Sequence, residues 1–408
     1  MKYVLAKGDS MLLTVIDLTC FTIATMIVKI MALIPRENEY SHAKGKNKKH
    51  ILLMANDLLG DTLARLPFYI ELRRMYPDED YHIAIILTPT MAKPLSKLNL
   101  FDEIIEDENL NNRHPIFWIF GKQFISKSLR WAWRHRVDIF ITCLRVRSPG
   151  CDYINMLVTP SKAIGYKVDS SVALFPVTSR YQKSCEKRLY TGLVPFIRGK
   201  HQMEDLSEIL SLLADRKVYL RQPSKEELFP VLDVSFAECN LGKPYIIIVP
   251  GAGMPDREWP IGKFMELVRS LPGNIVIVGT AKEMELGNQI KDVLGSRVVN
   301  LCGKTNIEQL GGVISNARLV VSNETGTATY AAILGIPTVC ILGGGDFGAF
   351  FPNKYSKNTI SVYRKCDCYY CGWKCAKRSK CNSPVAPCIG DITVEEVMKA
   401  VNQIMEGK

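Results

Sequence analysis

No secretory leader is legible in this 408-residue chain. Its apolar stretch begins only at residue 11 and no small-residue cleavage site follows, which gives the expectation of a cytosolic protein without a disulfide framework. An uninterrupted apolar run of membrane-spanning length is also missing. Residues 11–34 come closest, but Asp17 and Lys29 interrupt them, and a charge at mid-membrane costs about 2.5–3.5 kcal/mol on insertion scales. Neither opening strand is followed by G-x-G-x-x-G, and Gly303-Lys304-Thr305 lacks the upstream glycine of a phosphate loop. Nicotinamide-oxidoreductase and ATPase readings therefore lose ground. What is present is ordinary for a globular protein: 47% hydrophobic and 23% charged residues exclude a collagenous, disordered or multi-spanning chain. Lys and Arg exceed Asp and Glu by 52 to 41, a net charge of +11, which favours an anionic partner. No nucleic-acid-binding module accompanies that charge, so a membrane surface or a phosphorylated ligand is expected rather than nucleic acid.

The length predicts two domains. HILLMA at 50–55 is the first strand signal, with a helical pattern from Asp61, and IAIIL at 83–87 and VDIFIT at 137–142 repeat it. A second series starts at YIIIVP (245–250) and continues through NIVIVG (274–279), RVVNL (297–301), RLVVSN (318–323) and TVCIL (338–342). Apolar β-branched runs alternating with helices predict an α/β protein with two doubly wound, Rossmann-like domains. The expected organisation is a hydrophobic, basic membrane-associating segment at 1–49, a first domain at 50–220, a linker at 221–243 and a second domain at 244–408 with a Cys-rich insert at 364–390. Lys44, Lys46, Lys48 and Lys49 follow the leading hydrophobic helix, as in a helix lying on an anionic leaflet. A helix packed on the first domain is the other reading.

Ligands of such folds bind at the carboxyl ends of the strands, and the polar residues there are few. Gly60-Asp61-Thr62-Leu63 follows the first strand; Asp61 is positioned either as a base or as a simple helix cap. Pro250-Gly251-Ala252-Gly253 and Arg257 follow the first strand of the second series. Small residues there let backbone approach a ligand, and a guanidinium fork reaches two phosphate oxygens. Ser322 to Thr329 (SNETGTAT) is again strand to helix, where the amides of Thr325, Gly326 and Thr327 form an anion site. Glu324 is discordant beside an anion, so either it accepts hydrogen bonds from ligand hydroxyls or it caps the helix. Glu283, four residues after Gly279, stands where an acid takes ribose hydroxyls, or is a solvated helical side chain.

These segments together resemble glycosyltransferase family 9, the ADP-heptose lipopolysaccharide heptosyltransferases. The resemblance covers most of residues 50–405 and rests on HILLMANDLLGDTLARLPFYIELRRMYP, VPGAGMPDREWPIGKF, the block from Asn300 (NLCGKTNIEQLGG) through SNETGTATYAAILGIPTVCILGG, and the closing helix. It implies a GT-B architecture, two domains facing a cleft, with the acceptor bound by the first and the nucleotide sugar by the second. Asp61 matches the catalytic base, Arg257 a cationic position, commonly Lys, that contacts the donor phosphates, Thr325 and Gly326 the phosphate-binding turn and Glu283 the ribose acceptor. Gly60, Gly251, Lys304, Glu324 and Thr327 complete the expected donor side. Glu324 departs from the usual Asp and Thr329 stands where many members carry His. The reaction implied is an inverting transfer from a nucleotide-diphosphate donor resembling ADP-heptose to a glycolipid or glycan of lipopolysaccharide type, on the cytoplasmic face of the inner membrane. No divalent ion is expected in catalysis, and no D-x-D metal-binding motif is expected either. A protein-directed heptosyltransferase with a metal finger and a noncatalytic nucleotide-sugar-binding scaffold are the alternatives.

Seven of the 13 cysteines are scattered singly and read as small buried hydrophobes, whereas six fall between Cys366 and Cys388. Thiols this dense in a reducing compartment point to structural zinc or iron held by Cys368, Cys371, Cys375 and Cys388, with Cys366 and Cys381 as alternates, or to a metal-free stiffened loop. Residues 113–136 interleave Arg and Lys with Phe and Trp, a face for anionic lipid or a phosphorylated acceptor, or else a core helix with a solvated basic side.

Overall fold

The computed structural model describes residues 9–35, 48–55, 59–107, 126–168, 179–228, 232–236, 241, 244–373, 375 and 385–407. The chain divides into two compact units. One comprises Met1–Leu58, Phe68–Phe196 and Asp205–Val218; the other comprises Leu59–Pro67, Ile197–Glu204 and Tyr219–Lys408.

In the first unit the apolar runs form β1 (Lys49–Met54), β2 (Tyr81–Leu87), β3 (Glu103–Glu106), β4 (Ile139–Thr142), β5 (Lys162–Tyr166) and β6 (Gly192–Val194). They pair in parallel in the order β3-β2-β1-β4-β5-β6, with Ile51 of β1 level with Ile83 of β2 and Ile139 of β4. The second unit repeats the plan with β7 (Tyr245–Val249), β8 (Asn274–Ile277), β9 (Val298–Asn300), β10 (Leu319–Asn323), β11 (Thr338–Ile341) and β12 (Thr359–Val362), ordered β12-β11-β10-β7-β8-β9. Both orders are doubly wound, with the topological switch between β1 and β4 and between β7 and β10. β7, β10 and β11 are buried along their whole length, which is why their sequences are continuous rather than alternating apolar runs. The expected pair of Rossmann-like halves of the GT-B class is therefore what the chain builds.

Ile248, Val321, Trp259, Phe264 and Val397 are among the residues that close the core of the second unit, each large aliphatic contributing roughly 1.5–3 kcal/mol when fully buried. The stretch expected as a linker associates with this unit. Asp233 donates its N–H to the Glu308 carbonyl at 2.9 Å, and Gly312 lies so close to the Asp233 carbonyl that a Cβ would collide with it. Asp78-Glu79-Asp80 is a literal D-x-D triplet, but it occupies the turn ahead of β2, at the amino end of the strand rather than the ligand-binding end.

The helix Asp9–Leu33 packs on the first unit through Phe21, Ala24 and Val28, and the Thr25 hydroxyl meets the Tyr153 hydroxyl at 2.9 Å. Its other side is apolar and exposed: Ile23, Met26, Ile30 and Leu33 are 46, 57, 57 and 82% accessible. Among the described residues no helix is long and apolar enough to cross a membrane. Of the basic and aromatic stretch, residues 113–125 lie outside the described residues. In the helix Lys127–Arg134, Trp131 is buried against His135, with ring centroids 4.2 Å apart, and Trp133 donates its indole N–H to the Met31 carbonyl at 3.1 Å. Trp131 donates to Glu103 of β3 at 2.7 Å and Trp133 ties this helix to the leading one, while Lys127, Arg130 and Arg134 stay exposed.

Candidate active site

The switch point of the second sheet is held by one side chain. Asn323, the last residue of β10, is fully buried; its amide donates to the Pro250 carbonyl at 2.8 Å and its oxygen accepts the Trp259 N–H at 3.0 Å. The loop after β7 is thus pinned to the loop after β10. Sequence reasoning missed this residue because an Asn at a strand end reads as turn chemistry; its place inside SNETGT was the one available signal.

Immediately after Asn323 comes Glu324, then Thr325, which caps the helix Gly326–Ile333 by accepting the Ala328 N–H at 3.3 Å. The cap takes the third amide of the helix and leaves those of Gly326 and Thr327 with no intrahelical acceptor, the arrangement that receives an anion. Thr327 and Thr329 are buried, and the Thr329 hydroxyl bonds back to the Thr325 carbonyl at 3.3 Å.

Asp61 reaches this turn through a contact of two glycines. The helix Leu59–Ala64 carries Asp61 in its first turn, and a Cβ on Gly60 would stand 3.0 Å from the Gly326 Cα, just as one on Gly326 would stand 3.0 Å from the Gly60 N. A side chain at either position would force these two backbones apart by a few tenths of an ångström. The segment Leu59–Pro67 accordingly groups with the second unit, although it follows the first strand of the first. The Asp61 carboxylate lies near enough to Glu324 to oppose its ionisation.

Glu324 is 5% exposed, and among the described residues neither carboxyl oxygen has a hydrogen-bond partner. Burial raises its pKa to about 8; Arg257 pulls it down, and Asp346 and Asp61 push it up. At neutral pH the group is a neutral acid, able to donate a hydrogen bond to a ligand as well as to accept one. The apparent conflict of a carboxylate beside an anion site is removed by that proton. A raised folded-state value means that the folded protein binds more protons than the unfolded chain between about pH 4.5 and 8, so stability falls as pH rises through that window. Glu324→Gln is expected to flatten the dependence and to be stabilising above pH 8, by a few kcal/mol at most; urea midpoints at pH 5 and pH 8.5 that stay parallel to those of the unsubstituted protein would refute this.

Arg257 ends a short 3-10 turn after the glycines and donates from Nη2 to Asp346 Oδ2 at 2.6 Å. Its guanidinium carbon sits 4.8 Å from the ring centroid of Trp373. The other expected donor-side residues gather at the ends of β7, β8 and β9. A Cβ on Gly251 would collide with Glu283, and one on Gly279 would stand 3.0 Å from Glu283 and 3.2 Å from Cys302. Glu283 forms a capping box, its Oε2 taking the Thr280 N–H and hydroxyl at 2.6 Å each, so helix capping and a position facing the Gly251 loop are combined in one residue. Lys304 is exposed on the adjoining loop, near enough to Cys302 to act on it electrostatically.

Cys143, Cys151, Cys185, Cys302 and Cys340 are buried thiols, as expected. In the insert, Cys366 and Cys368 have their sulfurs 3.4 Å apart, and Cys388 accepts the Gly344 N–H at 3.4 Å. Burial pushes the Cys388 thiol up, and the neighbouring Cys368, Cys375 and Cys371 add to this. Among the described residues no group of three or more His, Cys, Asp or Glu is arranged to hold a metal ion; Cys381 lies outside them.

The family profile described as Glycosyltransferase family 9 (heptosyltransferase) matches residues 201–375. Lipooligosaccharide heptosyltransferase 2 of Haemophilus influenzae is 30% identical over 303 residues, covering 72% of this chain and 83% of that protein. Lipopolysaccharide heptosyltransferase 2 of Salmonella typhimurium is 33% identical over 133 residues, a match spanning 28% of this chain and 38% of that protein. Among solved structures, ADP-heptose lipopolysaccharide heptosyltransferase II of Escherichia coli superposes with a TM-score of 0.59 at 18% identity, over 88% of this chain and 99% of that one, a likeness of fold.

Proposed function

The chain belongs to glycosyltransferase family 9, the heptosyltransferases, and on that premise we propose that it transfers a heptose, or a related sugar, from an ADP-activated donor to a lipopolysaccharide-type glycan with inversion at the anomeric carbon. The observation that carries this reading is the Gly60–Gly326 contact, because it brings a carboxylate beside a turn whose amides suit a diphosphate. Asp61 takes the proton from an acceptor hydroxyl as that oxygen attacks the anomeric carbon. The bond from that carbon to the diphosphate oxygen breaks, and the nucleoside diphosphate leaves. Arg257 and the amides of Gly326 and Thr327 meet the charge that builds on it, without a divalent ion. Neutral Glu324 and Thr329 face the sugar, and Glu283, Gly251 and Lys304 form the nucleoside end. The ADP-heptose donor is supported by the name of the E. coli structure that shares the fold.

A mass-spectrometric assay of purified protein against a panel of nucleotide sugars, with glycolipid and polypeptide acceptors in parallel, tests the reading. Heptose transfer to glycolipid is the expected result; transfer only to polypeptide would replace the acceptor class, and no transfer from any heptose donor would overturn the proposal.

The same reading puts the protein on the cytoplasmic face of the inner membrane. Its support is the exposed stripe of Ile23, Met26, Ile30 and Leu33 together with the lysines that follow the helix. Replacing those four by Ser is expected to abolish cosedimentation with vesicles containing anionic lipid while leaving the thermal midpoint nearly unchanged; retained cosedimentation would count against the location. For the insert the proposal is a structural zinc or iron at Cys368, Cys371, Cys375 and Cys388, with Cys366 or Cys381 as a substitute ligand, supported by the proximity of the first four. Elemental analysis of protein purified without added metal is expected to find about one ion per chain; a metal-free preparation with intact fold would dismiss it.

A further inference from the structure

Trp373 lies between Cys371 and Cys375 in the insert, and it faces Arg257. Two donors converge on one carboxylate oxygen: Arg257 Nη2 reaches Asp346 Oδ2 at 2.6 Å and the Trp373 indole N–H reaches the same atom at 2.7 Å. The guanidinium also stacks over the indole, 4.8 Å from the ring centroid. Arg257 is thereby held on two sides, by a charge-assisted hydrogen bond and by a π face. Among the described residues its Nε is buried without a hydrogen-bond partner, so it keeps donor capacity that neither contact uses.

The indole is itself fixed by the backbone around it. It packs on Gly343 and Gly345 so closely that a Cβ on either glycine would overlap the ring. Tyr370 donates its N–H to the Gly344 carbonyl at 2.7 Å and Gly372 to the Gly345 carbonyl at 3.0 Å. Tyr370, Gly372 and Trp373 all have left-handed backbone, with φ of 64, 58 and 62°. A bulky residue seldom adopts that conformation and keeps it only where the surroundings demand it.

We infer that Trp373, together with Asp346, is a positioning residue for Arg257, so that the Cys-rich insert forms one wall of the donor site rather than a separate appendage. The inference rests on the reading that Arg257 binds the donor diphosphate. A free arginine must give up several rotamers to grip a ligand, and that ordering weakens binding. Here the insert has ordered it beforehand. Trp373→Phe keeps the stacking ring but removes the N–H from Asp346; Trp373→Leu fills space with neither.

The test is a double-substitution cycle on ADP affinity by calorimetry, with donor KM and kcat measured alongside and thermal midpoints recorded. Trp373→Leu is expected to weaken ADP binding and raise donor KM by about tenfold and to lower kcat by less than Arg257→Ala does, with smaller effects for Trp373→Phe. In an Arg257→Ala background the Trp373 substitutions are expected to have no further effect on ADP affinity. Equal weakening in both backgrounds would overturn the positioning role while leaving the reading of Arg257 intact. ADP affinity untouched by Arg257→Ala would instead remove that reading, and this inference with it. If Trp373→Leu does not fold, Trp373→Phe carries the same cycle.

Discussion

Asp61→Asn is expected to lower kcat by about 10²–10⁴-fold, the usual contribution of a positioned general base, while ADP affinity changes little. The amide is nearly the same size and still accepts a hydrogen bond, so the helix Leu59–Ala64 and its glycine contact with Gly326 have no reason to move. What is lost is the capacity to take a proton. Asp61 is partly exposed, as a group that must meet an acceptor hydroxyl has to be. The neighbouring Glu324 does not substitute for it, because burial keeps that carboxyl protonated up to about pH 8. The proposed roles divide the two acids by environment, Asp61 as the base and Glu324 as a neutral group. Single-turnover measurements with the nucleotide-sugar donor decide the matter, and an Asn variant that turns over at the rate of the unsubstituted protein would dismiss Asp61 as the base.

Arg257→Ala is expected to cost about 10²–10³-fold in kcat, the scale seen when one preorganised donor to a developing anion is removed. The leaving diphosphate gains charge as the glycosidic bond breaks, and Arg257 is the fixed cation at the head of the turn. Arg257→Lys is expected to recover part of the loss, since an ammonium supplies the charge but not the planar fork that engages Asp346 and Trp373. Rates with Ala and Lys that are alike would show that charge plays no part. The Ala variant also releases Asp346 from its ion pair, so a further Asp346→Asn substitution separates lost attraction to the ligand from new repulsion by Asp346.

Much of this was legible beforehand because it is local. β7 and β10 announce themselves as YIIIV and LVVSN, since strands buried on both faces must be apolar at every position. Asp61, Arg257 and the Glu324–Thr327 turn stand out because polar and small residues at strand ends have few other uses in a doubly wound fold. The protonation of Glu324 was not legible, as it depends on the absence of any partner for a carboxyl deep in the unit. Nor was Asp346, which follows three glycines that read as an ordinary turn.

The amino-acid sequence alone determined the two α/β halves, their strand-to-helix turns and which polar residues stand at the strand ends, because hydrophobic periodicity and turn composition act over a few residues. Tertiary structure alone decided which turns meet. Gly60 and Gly326 belong to opposite ends of the sequence, and Trp373 finds Arg257 through Asp346; such contacts depend on backbone approach and on the geometry of a shared oxygen, and neither leaves a mark in the spacing of residues along the chain.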